Sequence, residues 1–119
     1  MPFISVSIQP GDVDQGRPWV VAVRGELDVS GIGRGRRALS DVEGAPGEVT
    51  ALDLREVVHL DSSGVRLLLG GEARARRQGR RFVVVAGGEG AVGRLLALTM
   101  LADHVEVVPD LQALGARRR

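Results

Sequence analysis

Four short runs suited to β-structure, "WVVAV", "EVTALDL", "RFVVVA" and "HVEVV", are separated by segments of helical pattern, and this alternation narrows the possible folds more than any other feature. Strands joined through helices pair in parallel, with right-handed crossovers. An earlier run, "FISVSI", sets Ile4, Val6 and Ile8 against Ser5 and Ser7, the alternation of an edge strand, and the turn-rich "PGDVDQGRP" joins it to "WVVAV" as a hairpin. The order β-β-α-β-α-β-α-β-α predicts an α/β fold with a mixed sheet of about five strands. Strands 2 to 5 are parallel and strand 1 is antiparallel at the edge.

The helical segments differ in quality. From Val29 to about Val42 the pattern is helical but interrupted by Gly31, Gly33 and Gly35, each costing about 1 kcal/mol against alanine. The segment after "HLDSSG" has an apolar stripe at Val65, Leu68 and Leu69, widened by Leu67 and extended by Ala73, and it stops at Gly79 behind arginines. "EGAVGRLLALTML" places Val92, Leu95 and Leu96 on one face, and "PDLQALGA" starts a last helix near Pro109. In "EVTALDL", Thr50, Leu52 and Leu54 share one face while Asp53 sits among Val49 and Ala51 on the other, predicting that one sheet face lacks a helical cover.

At 119 residues and 44% hydrophobic content the chain is the size of a single domain, 1–119, with a basic tail at about 115–119. The absence of cysteine and the presence of only His59 and His104 argue against disulfides and metal cages, and no metal or other cofactor is expected. No apolar run approaches the roughly 20 residues of a membrane span, and "MPFISVSIQP" does not read as a signal peptide, so a cytoplasmic setting is expected. All 16 basic residues are arginine, clustered in "RGRR", "RARRQGRR" and "RRR", yet 15 acidic residues bring the net charge to +1. With only Phe3, Trp19 and Phe82 as aromatics, nucleic acid is not an expected partner.

Chemistry concentrates where the parallel strands end, because the carboxyl ends of such strands and the loops after them share a rim. If strands 2, 3 and 4 are neighbours, "GELD" (Gly25 to Asp28), "HLDSSG" (His59 to Gly64) and "GGEG" (Gly87 to Gly90) meet there. Asp61, Ser62 or Ser63 can each cap the following helix, and one cap suffices. The remaining hydroxyls stand at the positive end of a helix, where a phosphate is tolerated. A triad of Ser62 or Ser63 with His59 and Asp61 is disfavoured, since residues so close in sequence align poorly and the "GxSxG" elbow is absent. A rival site is the G-x-G-x-x-G of Gly88, Gly90 and Gly93 between a strand and a helix, with Glu106 as the ribose carboxylate. Only one further strand follows, so a mononucleotide-binding half remains incomplete.

Taken together, "VRGELDVS", "LDLREVVHLDSSGVRLLLGGEARARRQGRRFVVVAGGEGAVGRLLALTML" and "VEVVPDLQAL" resemble the STAS domain, specifically the stand-alone anti-sigma-factor antagonists, over nearly the whole chain. The resemblance implies a β-α superhelix with helices mainly on one face, and a non-enzymatic, bacterial partner switch. It implies that Ser62, the first serine of D-S-S-G, is phosphorylated by an anti-sigma factor that is itself a serine kinase, with Ser63 as runner-up. The unphosphorylated form binds that factor and frees the sigma factor; a PP2C-type phosphatase restores it. The implied partner rim comprises Glu26, Asp28, Asp61, Ser62, Ser63 and Gly64. Alternatives are an unphosphorylated STAS scaffold, for example in lipid transport, or a small nucleotide-binding protein. The chain departs from the family in the three helix-1 glycines and in "LTML" where "LTGL" is usual.

Overall fold

The hairpin that opens the chain forms because Asp12 and Arg17 exchange backbone hydrogen bonds of 3.0 and 2.9 Å, while Gly16, at φ 70°, supplies the left-handed residue of the turn. The structure is a computed structural model describing residues 4–12, 14–45, 47 and 49–116. Phe3, Glu48 and the arginines of the expected basic tail, Arg117 to Arg119, lie outside the described residues. The hairpin joins β1 (Ile4–Gln9) to β2 (Trp19–Leu27). There follow α1 (Ile32–Glu43), β3 (Val49–Leu60), α2 (Ser62–Arg77), β4 (Arg81–Val85), α3 (Ala91–Leu98), a 3-10 turn at Leu101–Asp103, β5 (Glu106–Val108) and α4 (Leu111–Ala116). The sheet runs β1-β2-β3-β4-β5, with β1 antiparallel to β2 and every later pair parallel, as the element order predicts.

Side chains alternate between two apolar layers. Val21, Val23, Leu52, Phe82 and Val84 face the larger core, where Ile32, Leu39 and Val42 of α1, Leu67 and Leu68 of α2, and Val92 and Leu96 of α3 cover them. Val20, Ala51, Val83, Val85 and Val108 face the other way and pack with Leu111, Ala113 and Leu114 of α4. Three helices therefore cover one face and α4 part of the other. The mid-strand carboxylate Asp53 lies on α4's side and is held by Arg55, through its Nε at 3.0 Å and Nη2 at 2.8 Å, leaving the Asp53 side chain 12% exposed. Asp53 thus marks a half-buried carboxylate paired with the exposed Arg55 beside a partly covered face.

The apolar stripe of α2 differs from the sequence reading. Its buried face is Gly64, Leu67, Leu68, Gly71 and Ala75, whereas Ala73 and Leu69 are exposed. Glycines set the packing face here because they let neighbours come close: a Cβ on Gly71 would lie 2.7 Å from two ring carbons of Phe82. In α1 the helix begins at Ile32 rather than Val29, and Gly35 is buried where a Cβ would meet Leu67 Cδ2 at 3.1 Å. Glu43 at the end of α1 receives Arg74 of α2 at 3.0 Å, and Arg80 donates to the carbonyls of Glu43 and Ala45, so the two helices are tied at the ends away from the D-S-S-G turn.

β3 is longer than "EVTALDL" and carries two irregularities. Its register against β2 slips between Ala22 and Arg24, and again between Gly25 and Glu26, where an extra β3 residue is accommodated each time. These bulges change the inward repeat from two to three residues, so that Leu54, Val57 and Leu60 all turn toward the main core. Arg55, Glu56, Val58 and His59 are left exposed.

Candidate functional site

Asp61, in extended conformation at φ −111° and ψ −168°, is the N-cap of α2. Its Oδ1 accepts from the amides of Ser63 at 2.8 Å and Gly64 at 3.4 Å, and its Oδ2 accepts from the Val29 amide at 3.3 Å. One carboxylate thus closes the first turn of α2 and pins the β2–α1 loop beside it. The Asp61 amide, in turn, donates to the Leu27 carbonyl at 3.5 Å. Gly64 is demanded by the same contact, since a Cβ there would lie 2.9 Å from the Leu27 oxygen and 2.3 Å from Leu60 Cδ1. Within D-S-S-G the first and last residues are therefore committed to structure. Ser62, the first residue of α2, is exposed and its hydroxyl makes no hydrogen bond among the described residues; Ser63 is half-buried.

"GELD" meets this turn through the sheet, with Glu26 opposite His59 and Leu27 opposite Leu60. Asp28 receives both the amide and the hydroxyl of Ser30, at 3.1 and 2.7 Å. The Ser30 hydroxyl, joined by the Ser30 and Gly31 amides and the nearby His59, holds the Asp28 carboxyl below its usual range. Glu26, Asp28, Asp61, Ser62, Ser63 and Gly64 therefore lie along neighbouring ends of β2 and β3. Two apolar residues missed in the sequence flank them: Val29, 74% exposed, and Val58, 69% exposed. A valine set between Asp28 and Ser30 in a turn is a signal that sequence can offer; Val58 is hidden by the bulge. The triad arrangement does not form, because both Asp61 oxygens are taken by backbone amides.

"GGEG" stands apart from that rim. β4 ends at Val85 opposite Asp53, while β3 continues to Leu60, roughly 20 Å further along the strand. The Gly90 amide donates to the Gly87 carbonyl at 3.2 Å, and Arg94 donates to the Glu89 carbonyl, closing the loop on itself. A Cβ on Gly93 would lie 1.9 Å from the Gly87 oxygen, so this glycine serves the close approach of α3 to its own loop, and Gly88 has open space. Glu106 sits at the start of β5, opposite Val83, and takes Arg81 through Nε at 2.9 Å and through Nη2. Gly93 is thus occupied in packing α3 on its loop and Glu106 in pairing with Arg81.

No helix among the described residues is long and apolar enough to cross a membrane. Residues 12–109 match the family model described as "Mlab, STAS domain". Anti-sigma-B factor antagonists of Listeria monocytogenes and Listeria innocua are each 30% identical over 104 residues, covering 87% of this chain and 88% of theirs. The solved structure of an anti-sigma factor antagonist from Mycobacterium paratuberculosis superimposes with a TM-score of 0.82 at 28% identity, covering 98% of this chain and 96% of that one. The anti-sigma factor antagonist SpoIIAA in its unphosphorylated form shares the fold, with a TM-score of 0.72 at 16% identity and coverage of 94% and 95%. The fold and the family match over residues 12–109 define a STAS domain. The chain belongs to the STAS-domain family of anti-sigma-factor antagonists.

Proposed function

We propose that residues 1–119 act as one STAS domain, an anti-sigma-factor antagonist whose grip on its anti-sigma factor is switched by phosphorylation of Ser62. The observation that carries this reading is the division of labour at the α2 N-terminus: Asp61 supplies the cap and Gly64 the close packing, so the exposed Ser62 hydroxyl has no structural duty. The phosphate donor is an anti-sigma factor with serine kinase activity, a PP2C-type phosphatase reverses the step, and the setting is the bacterial cytoplasm. The domain contributes a docking surface and an acceptor hydroxyl, with no catalytic group of its own.

Phosphorylation adds about −1.5 to −2 charges. Asp61, Asp28 and Glu26 already line the neighbouring strand ends, so a partner that desolvates this rim meets a concentrated negative charge. A penalty of a few kcal/mol suffices, because each 1.4 kcal/mol weakens binding about tenfold. Incubation with the cognate anti-sigma kinase and ATP should place phosphate on Ser62, read by mass spectrometry, and Ser62→Ala should abolish it while retaining binding. Ser62→Asp should weaken binding with the fold intact. Phosphate on Ser63 alone, or undiminished binding of the phosphorylated chain, defeats the proposal.

A further inference from the structure

Arg66 lies one helical turn beyond Ser62 on α2, and both are exposed. Residues four apart on a helix are surface neighbours, with Cβ atoms about 5–6 Å apart. Helical side chains lean toward the N-terminus, which directs a long side chain at position 66 back over position 62. An acidic group N-terminal to a basic one is also the favourable sense of such a pair.

Among the other arginines of α1 and α2, Arg36, Arg37 and Arg77 also form no ion pair or hydrogen bond among the described residues, but none lies one turn from Ser62 on its own helix, and three have partners. Arg74 is taken by Glu43, Arg76 by Glu72, and Arg34 donates to the Ile4 carbonyl at 3.1 Å. Arg66 forms no ion pair or hydrogen bond among the described residues. Its helical neighbours at three and four residues are Ser62, Ser63, Leu69 and Gly70, none of them a carboxylate. Asp61, the nearest acidic residue in sequence, has both oxygens on backbone amides.

We infer that Arg66 is the phosphate-holding side chain of the switch: once Ser62 is phosphorylated, the Arg66 guanidinium pairs with the phosphate within α2. This rests on the reading of Ser62 as the acceptor. Guanidinium and phosphate match in geometry, and the pair is charge-assisted. In the unphosphorylated state Arg66 remains a solvated cation beside the acceptor hydroxyl. In the phosphorylated state it anchors the group along the helix. The assignment gives Arg66 a positioning role, with no part in the transfer of phosphate.

The test installs phosphoserine at position 62 during translation, by codon suppression, so that no kinase is needed. Failure here is then distinct from failure of the kinase to modify Ser62. Phosphorus NMR follows the second phosphate ionisation, near pH 6. In the parent it should fall about 0.3 pH unit below that of Arg66→Gln, with Arg66→Lys between them and the difference collapsing in 1 M salt. Glu26, Asp28, His59 and Asp61 are present in all three proteins and drop out of the comparison. Arg66 is exposed, so the variants should fold. Midpoints agreeing within 0.1 unit overturn the inference. So does a loss of anti-sigma affinity on Arg66→Gln in the unphosphorylated chain with unchanged titration, which assigns Arg66 to the partner's surface.

Discussion

Replacing Asp61 by alanine removes one carboxylate and with it three hydrogen bonds that join α2 to the β2–α1 loop. The amides of Ser63 and Gly64, at 2.8 and 3.4 Å, lose their cap, a change that costs about 1 kcal/mol. The Val29 amide, at 3.3 Å and close to solvent, contributes at the lower end of the usual range, about 0.5 kcal/mol. The sum is about 1.5 kcal/mol. For 119 residues the unfolding entropy is about 250 cal/mol/K, so each kcal/mol lowers Tm by about 4 °C and the variant should melt about 6 °C below the parent. Urea and thermal melts of the unphosphorylated protein measure both quantities. Asp61→Ser separates the two parts, because a hydroxyl can still cap the helix while its single oxygen cannot also reach Val29; it should lose about 0.5 kcal/mol. If Asp61→Ala melts within 2 °C of the parent, the carboxylate bridge has no energetic role and the division of labour within D-S-S-G fails with it.

Two further outcomes follow from local geometry. Gly33→Ala should stabilise the domain by roughly 0.5–1 kcal/mol, since a Cβ there meets nothing within 4 Å, whereas Gly71→Ala should destabilise it by about 1–3 kcal/mol by driving a methyl into the Phe82 ring; denaturant melts that rank them the other way contradict the packing described. The lowered pKa of Asp28 gives a stabilising contribution that is present above the unfolded value of about 3.9 and is lost as pH falls through the lower folded value. Ser30→Ala should move the Asp28 midpoint upward in an NMR carboxyl titration, and an unmoved midpoint shows that the Ser30 hydroxyl is not its main cause.

Most of the sheet was legible from composition and period, because parallel strands joined by helices leave few topologies. What failed to read did so for identifiable reasons. β3 was cut at Leu54 since "REVVHL" does not alternate; two bulges let Leu54, Val57 and Leu60 share a face at a spacing of three, which a period of two cannot register. Ala73 entered the α2 stripe as an apolar letter, while Gly64 and Gly71 were passed over, although a missing side chain is what admits Leu60 and Phe82. The glycines of α1 read as liabilities for the same reason, yet Gly35 lies against Leu67 and only Gly33 has open space within the helix. In the site, sequence narrowed the cap to three residues. Choosing Asp61 required knowing that the Val29 amide lay within reach of its second oxygen.

The bulges also explain why one strand end carries the proposed switch. They turn Arg55, Glu56, Val58 and His59 outward on the part of β3 that runs past β4, and β2 follows it with Glu26 opposite His59. In the proposed switch, a partner that docks over Ser62 and extends onto the neighbouring strand ends meets exposed apolar area at Val29 and Val58, at about 25 cal/mol for each Å² buried, among charges that must shed water. That balance favours docking only while the centre of that surface is a neutral hydroxyl. With a phosphate at Ser62 paired to Arg66 on its own helix, an arginine on the partner gains little by approaching it, and the part of the phosphate charge that one guanidinium leaves unneutralised stays with the rim. The direction of the proposed switch, binding when bare and release when phosphorylated, then follows from where the counter-charge is held.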